Sequence, residues 1–378
     1  MTAGVTTDAT PGPTSGAAPE PGPASARASR RARIEEALLP PLVALLIALV
    51  VGDLLILLFG QAPGAVYRLL IEGTWGNAYG LGQVLYKATT LTFTGLAVAL
   101  GIRAGLFNIG AEGQLAAGGF VAALVGLALP AGMPWPLTLP VYLLAAGAGG
   151  AVVGAVPGWL KARFGAHEVI TTIMLNFVVL ALLGYVVSAH LHTPETLHTP
   201  PIRSGALPRL ADALPAFHGS AANLAIVLAV LAALLVGWYL FRTRQGFELR
   251  AVGLQPEAAE YGGVRVGTVW WRALALSGAL AGIGGLNYVL GYKQYYEEGF
   301  ATGSGFLGIA VALVGRNHPF GVVLAALLFA TLSQGGLAVN ALVPKQMVDV
   351  LQAVVILAVA TTVPEVRRLL RAARRRTD

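Results

Sequence analysis

Apolar runs close to 20 residues long recur between residues 38 and 363, and polar positions do not alternate within them. About 20 helical residues cross the hydrocarbon core of a bilayer, and a membrane β-barrel requires strict alternation. The pattern predicts spans at 38–59, 83–102, 107–129, 138–160, 169–190, 222–241, 270–290, 305–315, 320–340 and 347–363. The expectation is an all-α polytopic membrane protein with about ten transmembrane helices, some of them broken or half-length.

Two places break the regularity. The run 305–315 has eleven residues, enough for only about 16 Å of helix, so the polar stretch before it has to dip into the membrane. Backbone of that kind survives at membrane depth only when protein encloses it. Thr302, Gly303, Ser304 and Gly305 lead into this run and Arg316 ends it; earlier, Thr89, Thr90, Thr92, Thr94 and Gly95 lead into a run that ends at Arg103. The matched leads and exits suggest an internal parallel repeat, and interrupted helices at matching places point to a transporter's binding region. The second irregularity is Gly105-Leu-Phe-Asn108-Ile-Gly110-Ala-Glu112-Gly113-Gln114, which sets an amide, a carboxylate and a second amide between apolar runs.

Composition agrees with the pattern. The chain is 56% hydrophobic and only 11% charged, against about 25% charged in soluble domains. It has no cysteine, which excludes disulfides, thiol catalysis and thiolate metal sites. The net charge of +7 reads as orientation rather than nucleic-acid binding. With the N-terminus inside, 19 of the 25 basic residues fall on the cytoplasmic side and Arg68, Lys87, Arg203, Arg209, Lys293 and Lys345 outside, as the positive-inside rule requires. Both termini are therefore expected in the cytoplasm. Residues 1–33, rich in Ala, Pro, Gly and Ser, read as a disordered cytoplasmic tail. Residues 34–366 form the transmembrane domain, and 367–378 a basic cytoplasmic tail. The first apolar run exceeds a signal-peptide core and is read as an uncleaved span. That span contains Asp53, assigned a packing or interfacial role.

The longest outer loop, 191–221, is proline-rich and carries His192 and His198, with His190 just before it; these read as loop histidines before a metal site. The longest inner loop, 242–268, contains Gln255-Pro256-Glu257-Ala-Ala-Glu260-Tyr261-Gly262-Gly263. Proline suits the first helical position, acids suit the first turn, and the glycines end the helix. A helix of about two turns is predicted, either a plain connector or a docking helix for a cytoplasmic partner.

The loop sequence GFELRAVGLQPEAAEYGGV (246–264) resembles the coupling loop of ABC importer permeases of the ribose/branched-chain amino-acid type. GLFNIGAEGQLAAGG (105–119), HEVITTIMLNF (167–177) and GFLGIAVALVGRNHPFGVVLAALLF (305–329) resemble the larger permease of nucleoside or simple-sugar ABC transporters. The likeness runs from about residue 38 to 365; Gln255 stands where such permeases usually read Asn. The resemblance implies an importer subunit in a bacterial cell membrane, working with a second permease (a heterodimer), a separate ATPase and a substrate-binding lipoprotein. The chain has no phosphate-binding loop of the G-x-x-x-x-G-K-[ST] kind, so no cofactor is expected in it, ATP being used by the partner, and no enzymatic activity. Arg250, Gly253, Pro256, Glu257 and Glu260 are the expected ATPase-coupling residues.

Ionisable and amide groups at membrane depth are functional candidates. Asn108, Glu112, Gln114, Asn176, Asn287 and Gln334 are therefore assigned to the substrate pathway or its gate. The competing reading makes 103–112 a tight inner turn with Glu112 paired to Arg103, and Asn176 either contacts a substrate ribose or base edge or bonds a neighbouring helix. The charge asymmetry sets Arg103, and with it Asn108, at or just above the inner face. Tyr292, Tyr295 and Tyr296 lie near the outer mouth, as interfacial aromatics or stacking surfaces for a base. Glu297 and Glu298 follow as solvated charges or binding-protein contacts. The expected cargo is a nucleoside, the alternatives being a pentose or other simple sugar and, in another class, an ATP-independent secondary transporter. A membrane-embedded enzyme ranks last.

Overall fold

The computed structural model describes residues 43, 46–344 and 346–358; the two tails, 1–33 and 367–378, lie outside the described residues. The first span is two helices, α1 (Leu46–Leu58) and α2 (Pro63–Thr74), meeting at 111°. Gly60 takes the left-handed conformation at the bend and Pro63 starts α2, which the apolar pattern had not predicted. Asp53 of α1 bonds Tyr67 of α2.

Then follow α3 (Ala78–Arg103), α4 (Ala111–Ala128), α5 (Trp135–Phe164), α6 (Glu168–Val186, extended by a π-turn, Val187–Leu191) and α7 (Ala225–Arg242). Two amphipathic helices, α8 (Arg244–Leu254) and α9 (Pro256–Tyr261), lead to α10 (Val266–Gly284), α11 (Ser304–Val314), α12 (Pro319–Ala338) and α13 (Gln346–Ala358). Among the described residues, seven helices are long and apolar enough to cross a membrane, or eight with the bent pair as one span. The shorter apolar helices α11 and α13 bring the bundle close to the ten expected. Extended pairing is confined, among the described residues, to two isolated bridges.

The bundle is centred on α3 and α4, which are buried for most of their length, while α6 and α7 turn most of theirs outward. Small residues set the closest approach. Gly150, Gly154 and Gly158 form an i,i+4 stripe on α5, and a Cβ on Gly150 would stand 2.1 Å from the Gly278 oxygen of α10. Where lipid gives no hydrophobic drive between helices, such backbone contact supplies the packing energy.

The half-helix α11 has the eleven residues predicted. Its counterpart in the earlier half is different: 89–103 is the C-terminal part of the unbroken 26-residue helix α3. The two stretches pack on each other, with Gly308 against Thr94 and Gly95 against Val311. The interruption in the first half falls one element later, in residues 104–110.

Candidate functional site: a return segment inside the bundle

α3 ends at Arg103, and Gly105 at φ +73 turns the chain back. From there the chain climbs alongside α3 without helical bonding. Leu106 N–H donates to the Gly101 oxygen at 2.9 Å. Asn108 donates to Ser277 of α10 at 2.7 Å, and Ser277 donates to the Ala97 oxygen at 2.6 Å. Ser277 lies eleven residues, about 16 Å along the axis, from the start of α10 at Val266. The segment returns beside the last turn of α3, where a Cβ on Gly101 would stand 3.4 Å from the Asn108 Cβ. Residues 106–109 are outside any helix, and an extended backbone rises about 3.3 Å per residue, so a few residues retrace the last turn of α3.

The side-chain amide of this segment, Asn108, is fully used. The Asn108 amide donates to Ser277 and to Gln114 (2.8 Å) and accepts from Gly110 N–H (2.9 Å) and Gln114 (3.1 Å), which is the whole capacity of an asparagine side chain. Asn176 of α6 grips the same segment from the other side: it donates to the Ile109 oxygen and accepts from Gly113 N–H, both at 2.8 Å. Glu112 does not pair with Arg103. Its carboxylate accepts the Gly303 N–H at 2.9 Å, and the Gly305 and Phe306 amides also bond it, so it caps the N-terminus of α11, where the helix dipole favours a negative charge. Arg103 donates instead to the Asn317 oxygen at 2.9 Å. Asn108, Glu112, Gln114 and Asn176 thus form one buried network joining α3, α4, α6, α10 and α11.

Asn287 belongs to a separate network. It donates to the Tyr86 oxygen (2.9 Å) and to Thr90 (2.8 Å), and accepts from Asn223 at 2.9 Å. Beside it, Tyr288 stacks on Phe300 at 4.8 Å, Tyr292 meets Tyr86 at 5.3 Å, and Tyr296 meets both Phe120 and Phe300 edge-on. Tyr295 stacks on His198 at 4.2 Å, and Tyr288 bonds Glu297. The outer loop closes over this group: Thr199 N–H donates to the Tyr296 oxygen, and Ile202 N–H to that of Gln294. Burial and the nearby Glu298 raise the Tyr296 phenol above its ordinary range. Gln334 is buried in α12, next to Ser333, which accepts from Lys87 at 3.3 Å; it belongs to neither network among the described hydrogen bonds. Among the described residues, no three His, Asp or Glu side chains assemble as metal ligands.

At the end of the bundle where α3 stops, the loop 242–268 folds as two helices where one was predicted. Thr243 caps α8 by accepting Gly246 N–H at 3.0 Å, and Arg244 pairs with Glu248 at 2.8 Å. Pro256 starts α9, with Glu257 in its first turn and Gly263 at φ +83 beyond its end. Glu257, Glu260 and Tyr261 edge an open hollow, and Leu254 and Tyr261 are 84% and 95% exposed. Gly253 lies directly under the turn of the return segment: a Cβ on it would stand 2.2 Å from the Arg103 oxygen. Arg250 and Arg103 flank the Phe241 ring at 5.3 and 5.7 Å, and His318 stacks on that ring at 5.5 Å. Burial, and then the Arg103 charge, hold His318 below the ordinary histidine range.

α8 thus packs by bare backbone against a segment that leads into a buried polar network. Residues 80–360 match the family described as the permease component of the branched-chain amino acid transport system. The chain belongs to that family. The permease is 40% identical over 333 residues to the guanosine ABC transporter permease protein NupP of Bacillus subtilis, covering 86% of this chain and 93% of the relative. It is 34% identical to the nucleoside ABC transporter permease protein NupB of Lactococcus lactis (85% and 90% covered). It is 36% identical to a glucose ABC transporter permease protein of Haloferax volcanii (85% and 87% covered). No solved structure matches the chain. Three residues of the permease's networks escaped the sequence reading: Ser277, Asn223 and Thr172, whose hydroxyl accepts the Ile109 N–H at 3.4 Å. A lone hydroxyl or amide among apolar residues carries little signal until its partner is known.

Proposed function

We propose that this permease is a translocation subunit of an ATP-driven importer of nucleosides, lying in a bacterial cell membrane with both termini in the cytoplasm. The observation that carries the reading is the backbone contact between Gly253 and the 103–105 turn. It gives a helix on the cytoplasmic side direct purchase on the segment that holds Asn108 and Glu112. The substrate class rests on the two bacterial relatives named for guanosine and nucleosides.

In this reading α8 and α9 are the docking surface for a separate ATPase. Leu254 and Tyr261 are large side chains held in water, and burying such surface on a partner is worth about 25 cal/mol per Å². Arg250, Gly253, Pro256, Glu257 and Glu260 transmit the motion. Asn108, Glu112, Gln114 and Asn176 act as an inner gate: pushing the 103–105 turn strains the bonds to Ser277 and Asn176 together. Asn287 and the aromatic group near it shape the outer part of the path, and Gln334 borders it. A second permease completes the path and an extracytoplasmic lipoprotein delivers the substrate. The permease carries no chemistry of its own.

The test is uptake of labelled nucleosides, pentoses and glucose by cells expressing the permease with its sister permease, ATPase and binding protein. Nucleoside uptake that needs the ATPase is expected. Uptake by the permease alone overturns the ABC reading. Uptake of sugar without nucleoside overturns the substrate class and favours the reading that the haloarchaeal relative represents.

A further inference from the structure

A cleft of about 560 Å³ opens on the flank of the bundle, away from the return segment. Its walls are Leu228, Leu231, Leu235 and Val236 of α7 and Leu276, Leu280 and Ile283 of α10, with Phe93 and Leu100 of α3 as its floor. The cleft exists because α7 leans on the bundle by one stripe. Ala225, Ala229, Ala233, Val236 and Leu240 are buried, while Leu231 and Leu235 on the adjoining face are 48% and 63% exposed. Nothing polar lines it until its inner end. There it continues into a second hollow that shares Tyr239, Gln245 and Leu276 and adds Glu248, Trp271 and Arg272.

The polarity therefore runs one way, from hydrocarbon to a cationic, aromatic mouth. Arg272 rests over the Trp271 ring at 5.8 Å, and the neighbouring Trp270 receives Lys161 at 4.9 Å. Tryptophans and basic residues at one level mark a membrane interface. From Tyr239 at the mouth to Leu228 at the far wall is eleven residues of α7, about 16 Å, or about half of a 30 Å hydrocarbon core. The acid at the mouth, Glu248, already has a partner in Arg244 at 2.8 Å, which leaves the Arg272 charge facing the hollow.

We infer that this cleft is a binding site for an anionic phospholipid of the inner leaflet, with one acyl chain between α7 and α10 and the phosphate at Arg272. The length of the apolar wall, the position of the charge and the aromatic level all fit one lipid of one leaflet. The site also touches the machinery. Gln245 and Glu248, at its mouth, belong to α8, which carries Gly253 eight and five residues further on. A bound lipid thus braces the near end of the helix whose far end meets the return segment. The inner-leaflet assignment rests on the proposed orientation.

The test uses the assembled transporter in nanodiscs and native mass spectrometry, reading retained lipid rather than uptake, so that its outcome is independent of the cargo. Wild-type complex from membranes containing phosphatidylglycerol and phosphatidylcholine should retain phosphatidylglycerol at this chain. Arg272→Gln should lower that retention about fivefold, the effect of one basic contact with an anionic headgroup. Ala279→Phe, which fills the cleft, should abolish it without changing Arg272. Equal retention in wild type and Arg272→Gln overturns the proposal. So does a cross-link from Leu235→Cys, the sole cysteine of such a chain, to the sister permease, because a protein then occupies the cleft.

Discussion

Gly253→Ala is the sharpest perturbation of the proposed coupling. The added Cβ would sit 2.2 Å from the Arg103 oxygen and 2.9 Å from the Gly105 nitrogen. Real Cβ contacts are essentially never closer than 3.0 Å, so α8 and the end of α3 must part by about 0.8 Å at that point. Neither side yields easily: both neighbours are backbone, and Gly105 is fixed at φ +73. Overpacking of this size costs roughly 1–3 kcal/mol. Because the contact is the link itself, the cost falls on coupling, and 1–3 kcal/mol of coupling corresponds to about 5–150-fold. In proteoliposomes holding the whole transporter, ATP hydrolysis should persist while nucleoside taken up per ATP falls within that range. The amount of complex in the membrane should be unchanged. Wild-type uptake per ATP would refute the reasoning. A variant that fails to assemble would refute it too, by making Gly253 a folding residue rather than a link.

Four other outcomes follow from the same geometry. Asn108→Ala leaves Ser277, Gln114 and the Gly110 N–H short of partners; at about 1–3 kcal/mol for a stranded buried group, it should lower the melting temperature of the complex by several degrees, as differential scanning fluorimetry can read. Glu112→Gln keeps an acceptor for the Gly303 N–H while Glu112→Ala keeps none, so uptake should fall further in the alanine variant, and equal losses would discount the cap. Asn223→Ala removes the donor to Asn287 and should weaken outer closure by about 1 kcal/mol, seen as faster hydrogen exchange in 287–298. His318 has its proton affinity lowered by burial and by Arg103, so the folded state binds fewer protons than the unfolded one. The stability tied to neutral His318 is present above its ordinary pKa of 6.5 and is lost as pH falls below it; His318→Gln should flatten that part of a pH–melting profile.

The helices were legible because a span must be long and apolar whatever it packs on. The half-helix α11 was legible for the same reason, since eleven residues cannot reach across. The return segment was not. Its residues 105–114 stood out as polar, and charge counting set Asn108 near Arg103, but neither showed which groups Asn108 would bond. The rule places helix ends and is blind to an extended stretch that doubles back. The inner helix α8 was missed because its caps lie in a single threonine, Thr243, whose side chain reaches the Gly246 N–H. The bend at Gly60 was missed because the first apolar run looks long enough alone. Partnerships such as Asn108 with Ser277, 169 residues apart, exist only once α10 is packed.

That the buried polar groups are satisfied within the chain has a consequence for how the proposed gate works. Opening the return segment exchanges bonds already made, Asn108 to Ser277 and Asn176 to Ile109 and Gly113, for bonds to water or substrate. At about 1 kcal/mol net for each of these three, the open arrangement lies some 3 kcal/mol above the closed one, a population below about 1%. A passing nucleoside can replace those partners but gains little over them, so it meets no deep well in which to stay. On the proposed reading, such a gate is shut at rest, passes its cargo weakly held, and needs work applied from elsewhere. The point where work can enter is the turn resting on Gly253. If the network were only packing, Ser277→Ala would change stability alone; as part of the gate it should raise ATP-independent leak of nucleoside through the assembled transporter, by about fivefold for each 1 kcal/mol released.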